Sequence, residues 1–218
     1  LKKLALLDLE GTLIDYEFWE ALAESHEKGE ELKRLLEEGL TSNNWYETFL
    51  KRVEMIIGTP KEVIEGVAEK ALKRLKPEAP TLISELKKQG FTTMIVSGGF
   101  EDFVKILAEV LGVEDYVAQK LVYHNNEVVG VLPVFKEKGE IVDKLRPWFD
   151  LILAIGDGFN DLNMLKKADI PIAVGKRSKE LAEASEAFAY DDLGELLRDL
   201  ISGKLKETLA RLEAGEGS

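Results

Sequence analysis

The segment LALLDLEGTLID, Leu4 to Asp15, decides how the rest of the chain is read. The apolar residues Leu4 to Leu7 run straight into Asp8; Leu9 then separates that acid from Glu10, Gly11 and Thr12. A short apolar run bounded by turn residues is the pattern of a strand buried on both faces, as at the centre of a parallel sheet. Two carboxylates this close at its end repel each other unless a cation stands near them. Asp8 and Glu10 are therefore either the solvated end of a strand or a pair placed to hold a cation.

Working outward, residues 16–75 carry no strand pattern and read as three or four amphipathic helices, among them YEFWEALAESHEKG and WYETFLKRVEMIIG. KPEAP, Lys76 to Pro80, is a proline-bracketed joint that starts a helix ended by Gly90. From Phe91 the rhythm changes. FTTMIVS is a β-branched strand, FEDFVKILAEVLG a helix closed by Gly112, and DYVAQKL a strand leading to a hairpin that turns at Asn125-Asn126. A helix from Gly139 to Trp148 precedes the strand LILAIGD, the helix NDLNMLKKA and the strand IPIAVG. A further helix, a short AFAY strand and closing helices follow. This alternation predicts an α/β fold: right-handed βαβ units forming a doubly wound parallel sheet with helices on both faces. Ligands in such sheets bind outside the carboxyl ends of the strands. Asp8–Thr12, Ser97–Gly99 and Gly156–Asp161 all fall there, and the helical block after the first strand is expected to lie above them as a lid.

Composition narrows the function classes. The chain has 218 residues, 45% hydrophobic, enough for a large core with a smaller insert. No apolar run reaches membrane-spanning length, and no basic-then-apolar leader is present, so no membrane association is expected. Cysteine is absent, which removes disulfides, thiolate metal sites and cysteine nucleophiles and fits a reducing cytoplasm. A net charge of −12 argues against a nucleic-acid surface, yet leaves room for a small anionic substrate where a metal ion and a few cations reverse the field.

GDGFND, Gly156 to Asp161, is the strongest single motif, with glycines flanking Asp157 where a strand ends. Asn160 and Asp161 open the next helix, where capping is the plainer role. A calcium loop is disfavoured because the twelve-residue pattern and its terminal Glu are missing. Ser-Gly-Gly at Ser97 is by itself an ordinary strand-to-helix turn. Together the pieces form a device: Asp8, Asp157 and Asp161 offer hard oxygens suited to Mg²⁺. Ser97 and the N–H groups at Gly98, opening a helix, can cradle phosphate oxygens. Lys138, with Lys136 as its substitute, supplies the remaining positive charge.

At this point the chain resembles the haloacid dehalogenase-like phosphatases, and among them the phosphoserine phosphatases. DLEGT, VSGGF, KGEIV and GDGFNDLNML match that family's four motifs in order and spacing. The resemblance implies a Rossmann-like core over residues 1–14 and 76–204, a helical cap over 15–75, and a helical tail over 205–218. It implies Asp8 as nucleophile, forming an aspartyl-phosphate, and Glu10 as general acid and base. Mg²⁺ is implied at Asp8, the Glu10 carbonyl and Asp157, with Asp161, Thr12 and Asn160 in support. Ser97, Gly98 and Lys138 are implied to hold the phosphoryl group. Glu17 and Arg52 fall where those enzymes grip the amino and carboxylate ends of serine, and Trp45 where they place an aromatic cap residue. The plainer reading of Arg52 is a surface salt bridge. Glu10 departs from the family's usual Asp, and Gly11 from its usual Ser; the longer acid reaches about 1.5 Å farther, which matters where alignment governs rate. The expected partner is a small phosphorylated metabolite, with no nucleic acid, and the expected state a monomer or homodimer. His26 and His124 are assigned no role.

Overall fold

The computed structural model describes residues 1–42 and 44–214, so residues 215–218 of the expected tail lie outside the described residues. The LALL run forms β1 (Lys3–Leu7). Four helices follow it: α1 (Phe18–Ser25), α2 (Gly29–Thr41), α3 (Trp45–Met55) and α4 (Lys61–Ala71). The remainder alternates. It runs α5 (Ala79–Lys88), β2 (Phe91–Phe100), α6 (Glu101–Leu111), β3 (Asp115–His124), β4 (Glu127–Leu132), α7 (Gly139–Leu145), β5 (Leu151–Gly156) and α8 (Leu162–Lys167). β6 (Ile170–Val174), α9 (Ser178–Ser185), β7 (Phe188–Tyr190), α10 (Leu193–Ser202) and α11 (Lys204–Glu213) complete it.

The strands form one sheet in the order β4-β3-β2-β1-β5-β6-β7. β1 lies at its centre because its apolar side chains can be buried on both faces. Leu7 aligns with Ile95 of β2 on one side and Ile155 of β5 on the other, both parallel. Ala5 and Leu7 join the core that α5, α6 and α10 cover, while Leu4 and Leu6 join the core under α7, α8 and α9. Helices therefore cover both faces, as the alternation predicts. β3 and β4 form the antiparallel hairpin, turned by Asn125 and Asn126 at φ 49° and 63°. Asparagine accepts this left-handed backbone where a two-residue hairpin requires it. No helix among the described residues is long and apolar enough to cross a membrane.

Three boundaries differ from expectation. The strand expected to end at Ser97 continues to Phe100, and α6 opens at Glu101, so Gly98 sits in extended backbone rather than at a helix N-terminus. The cause is local: the β2–β3 register breaks between Val96 and Phe100, and the Gly99 N–H donates to Ser97 Oγ at 3.0 Å. The helix expected from Asn160 begins as a 3₁₀ turn over Phe159–Asp161, because Asp161 turns back to take the N–H groups of Asp157 and Gly158. The helix expected to reach Trp148 likewise stops at Leu145 and tightens into a 3₁₀ turn containing Pro147, whose ring cannot donate an α-helical hydrogen bond.

Candidate active site

Parallel pairing of β1 and β5 brings their carboxyl ends together. The Asp8 N–H donates to the Ile155 carbonyl at 2.9 Å, which places Asp8 beside the Gly156-Asp157 exit of β5. Thr12, fully buried, donates from Oγ1 to Asp8 Oδ2 at 2.9 Å and approaches Asp157 Oδ1 at 3.4 Å. Gly11, at φ 80°, makes this turn possible: a methyl group there would overlap Asp157 Oδ2. Here the opening carboxylate meets a cation. Lys138 Nζ, buried, donates to Asp8 Oδ1 and to Asp161 Oδ1, both at 2.5 Å. Lys136 is exposed, its ammonium over the Tyr46 ring at 5.4 Å, so of the two lysines it is Lys138 that meets Asp8.

One carboxylate oxygen each from Asp8, Asp157 and Asp161 lies within 4.8 Å of the others. Burial, then the charges of Asp8 and Asp161, push the Asp157 carboxyl well above the ordinary range. Burial and Asp8 raise Asp161 to about 6 against the pull of Lys138. Burial works against the Lys138 ammonium, but Asp161 and Asp8 outweigh it and raise its pKa. Crowded hard-oxygen donors that resist carrying their full negative charge are the donor set a hard divalent cation satisfies. The residues present fit a metal ion. Asp161 has both oxygens engaged, by Lys138 and by two main-chain N–H groups, which suits it to a supporting position.

Glu10 is directed elsewhere. Its Oε2 accepts the Phe18 N–H at 2.7 Å and its Oε1 lies against Gly99, so its carboxylate is not among the three that converge. The extra methylene carries the carboxyl to the start of α1. Glu10 is hydrogen-bonded to Glu17; burial raises both, Glu17 strongly because the Glu10 charge adds to it. Arg52 faces this pair and is 1% exposed. Its Nε donates to the Thr48 carbonyl at 3.2 Å and its guanidinium lies 4.7 Å above the Trp19 ring. Burial lowers its pKa to about 10, with Glu17 and Glu10 opposing. Its buried Nη2 has no hydrogen-bond partner, so the plainer reading of Arg52 as a surface salt bridge does not hold.

These groups surround a cavity of about 220 Å³ that also takes in Ser97, Gly98, Asn160 and Trp45. Asp8, Glu10, Glu17, Trp45, Arg52, Ser97, Gly98, Asp157 and Asn160 line this cavity, Thr12, Lys138 and Asp161 join the carboxylate cluster beside it, and Lys136 reaches neither. Arg177, Glu20 and Glu37 also line it and were not foreseen. Arg177 follows the IPIAVG strand by two residues, so the strand-end rule points to it. Glu20 and Glu37 lie on inserted helices whose charged faces carry no distinguishing pattern.

The sequence matches the haloacid dehalogenase-like hydrolase family over residues 2–169. A phosphoserine phosphatase of Methanocaldococcus jannaschii is 33% identical over 208 residues, covering 90% of this chain and 97% of that protein. The crystal structure of phosphoserine phosphatase from T. onnurineus, in complex with NDSB-201, is 33% identical with a TM-score of 0.79, covering 92% of this chain and 94% of that one. A phospho-aspartyl intermediate analogue of phosphoserine phosphatase matches with a TM-score of 0.79 at 29% identity, covering 90% of this chain and 98% of that one. The chain therefore belongs to the haloacid dehalogenase-like hydrolases, as a phosphatase similar to the phosphoserine phosphatases.

Proposed function

We propose that the protein is a Mg²⁺-dependent phosphatase that hydrolyses phosphoserine, or a phosphomonoester of the same small amino-acid type, in the cavity above Asp8. The observation that carries the substrate reading is Arg52: a buried guanidinium with an unpartnered Nη2, beside Glu17, in the cavity that Asp8 lines. Arginine is the group that forks to a carboxylate, and Glu17 opposite it suits an ammonium. An amino acid carrying both charges fits between them. Residues 15–75 act as the cap of this site, residues 1–14 and 76–204 as its core and 205–218 as a tail, and the cysteine-free chain suits a cytoplasmic setting.

Asp8 Oδ attacks phosphorus, forming an acyl-phosphate bond as the ester P–O bond breaks, and Glu10 gives its proton to the departing serine oxygen. Burial, which raises the Glu10 pKa, favours the proton-carrying form that this step needs. Glu10 then takes a proton from the water that attacks the phosphoryl group, releasing phosphate and restoring the Asp8 carboxylate. Ser97, the Gly98 main chain and Lys138 hold the phosphoryl oxygens, and the Lys138 hydrogen bond aims the Asp8 carboxylate. Asp8, the Glu10 carbonyl and Asp157 would hold Mg²⁺, with Asp161, Thr12 and Asn160 in support. When bound, the ion supplies charge neutralisation for the phosphoryl oxygens.

A phosphate-release screen of phosphorylated metabolites, with and without Mg²⁺, tests this reading. Phosphoserine is expected among the fastest substrates, with activity abolished in Asp8→Asn. A preference for sugar phosphates with phosphoserine inert overturns the substrate, and full activity in Asp8→Asn overturns the mechanism.

A further inference from the structure

Gln119, on β3, is 0% exposed and touches none of the reacting groups. Its Nε2 donates to the Phe135 carbonyl at 2.8 Å, and its Oε1 accepts the Val134 N–H at 2.7 Å. These two main-chain groups belong to the irregular segment 133–138, which leads from β4 to α7 and ends at Lys138. An amide bonded to a donor and an acceptor from adjacent residues has a single fitting orientation, so the clamp fixes the backbone at 134–135. It thereby fixes the buried Phe135 ring, which stacks on Trp45 with centroids 6.4 Å apart and planes 10° apart. On its other contact Trp45 stacks on Phe49 at 5.1 Å and 8°.

The indole held in this way is a wall. A Cβ at Gly98 would lie 2.5 Å from Trp45 Cζ2, so the ring rests on the main chain of the phosphate-binding stretch. Trp45 also borders two cavities: the 220 Å³ active-site cavity, and a neighbour of about 80 Å³ that Tyr46, Phe135 and Lys136 help to line. Trp45 and Asn160 are the two residues lining both.

We propose that Gln119 is a positioning residue for substrate size: by clamping Phe135 it holds Trp45 as the wall that separates these cavities and confines the site to small phosphomonoesters. The inference rests on reading the larger cavity as the phosphomonoester site, and commits to no identity for the natural ester. Loss of the clamp frees Phe135 and lets the indole swing, joining the cavities and admitting a bulky aryl ester.

The test compares kcat/KM for p-nitrophenyl phosphate and for phosphoserine, on the full chain with Mg²⁺, in wild type, Gln119→Met, Phe135→Ala and the double variant. The expected result is a rise of about tenfold in the aryl-to-serine ratio in each single variant, carried by a lower KM for the aryl ester. The double variant is expected to rise no further than the larger single, because both act through one wall. A merely structural role lowers both activities in proportion; an unchanged ratio therefore overturns the proposal, as do additive effects. Should Gln119→Met fail to fold, the ratio in Phe135→Leu decides in the same way. If wild type leaves phosphoserine intact, that result sinks the substrate reading alone, and phosphoethanolamine replaces it as the small ester in the same ratio.

Discussion

Arg52 is a costly residue to bury with one nitrogen unmatched. The proposed substrate carboxylate would supply the partner that the chain does not. Lysine at this position keeps the charge and loses the fork. We therefore expect Arg52→Lys to raise KM for phosphoserine by roughly tenfold to a hundredfold, the equivalent of one or two lost charge-assisted hydrogen bonds, with a smaller change in kcat; steady-state kinetics reads both. The carboxylates below give a second prediction. Asp157 and Asp161 sit above their unfolded value of about 3.9, with Asp161 at about 6. The folded metal-free chain thus binds these protons more tightly than the unfolded one, so their contribution to stability is full at low pH and is lost as pH rises through about 6. A divalent cation held among these carboxylates would offset that repulsion. Thermal melts are expected to show a larger rise in Tm on adding Mg²⁺ at pH 8 than at pH 5; an equal rise at both would remove the repelling carboxylates as its cause. Asp8 and Asp157 were legible in the sequence because each ends an apolar strand, where an acid has no packing role. Arg177 was not, since a lone arginine after a strand reads as solvated surface.

At the scale of elements, the sequence reading departs from the structure where a side chain takes main-chain groups away from a helix or strand. Ser97 does so at the end of β2 and Asp161 at the start of α8, and neither hydrogen bond leaves a periodic trace. The strands themselves, and the helices α1 to α4 that follow β1, follow from apolar spacing alone. Glu10 is another case of a borrowed partner. Helix α1 opens without a capping side chain from Glu17, its neighbour in sequence, and Glu10 supplies the acceptor for the Phe18 N–H from eight residues away. Aspartate at position 10 is shorter by about 1.5 Å and releases that N–H. Glu10→Asp is accordingly expected to lower stability by about 1 kcal/mol, the usual worth of an N-cap. Urea denaturation measures it, and unchanged stability would show that the cap is dispensable.

For the molecule as a whole, the inserted helices are tied to the sheet unevenly. Their entering and leaving connections run side by side, with Asp15 N–H donating to the Arg74 carbonyl at 2.8 Å and Lys76 N–H to the Leu13 carbonyl at 3.0 Å. Next to them Phe18 packs edge-on against Phe100 at 5.3 Å and Phe103 at 5.5 Å, all three rings fully buried. The far side is held by the half-buried Trp45 against Phe135 and by main-chain hydrogen bonds from the α3–α4 connection to the β3–β4 hairpin, Gly58 N–H to Val128 and Lys61 N–H to Asn126. The strand–helix alternation made the sheet legible, but no sequence pattern says that an insert shares one apolar core with it; that depends on rings from distant segments meeting. The shared core makes a definite claim about folding. Phe18→Ala empties a site enclosed by both parts, and a fully buried phenylalanine typically costs about 3–5 kcal/mol on truncation. Because that loss is felt on both sides of the boundary, the chain is expected to unfold in a single transition at a lower denaturant concentration. Fluorescence, which follows Trp19 and Trp45 in the inserted helices together with Trp148 outside them, and far-ultraviolet circular dichroism, which follows all the helices, should give coincident curves. Two separated transitions in the variant would mean that the insert holds itself together and only leans on the sheet.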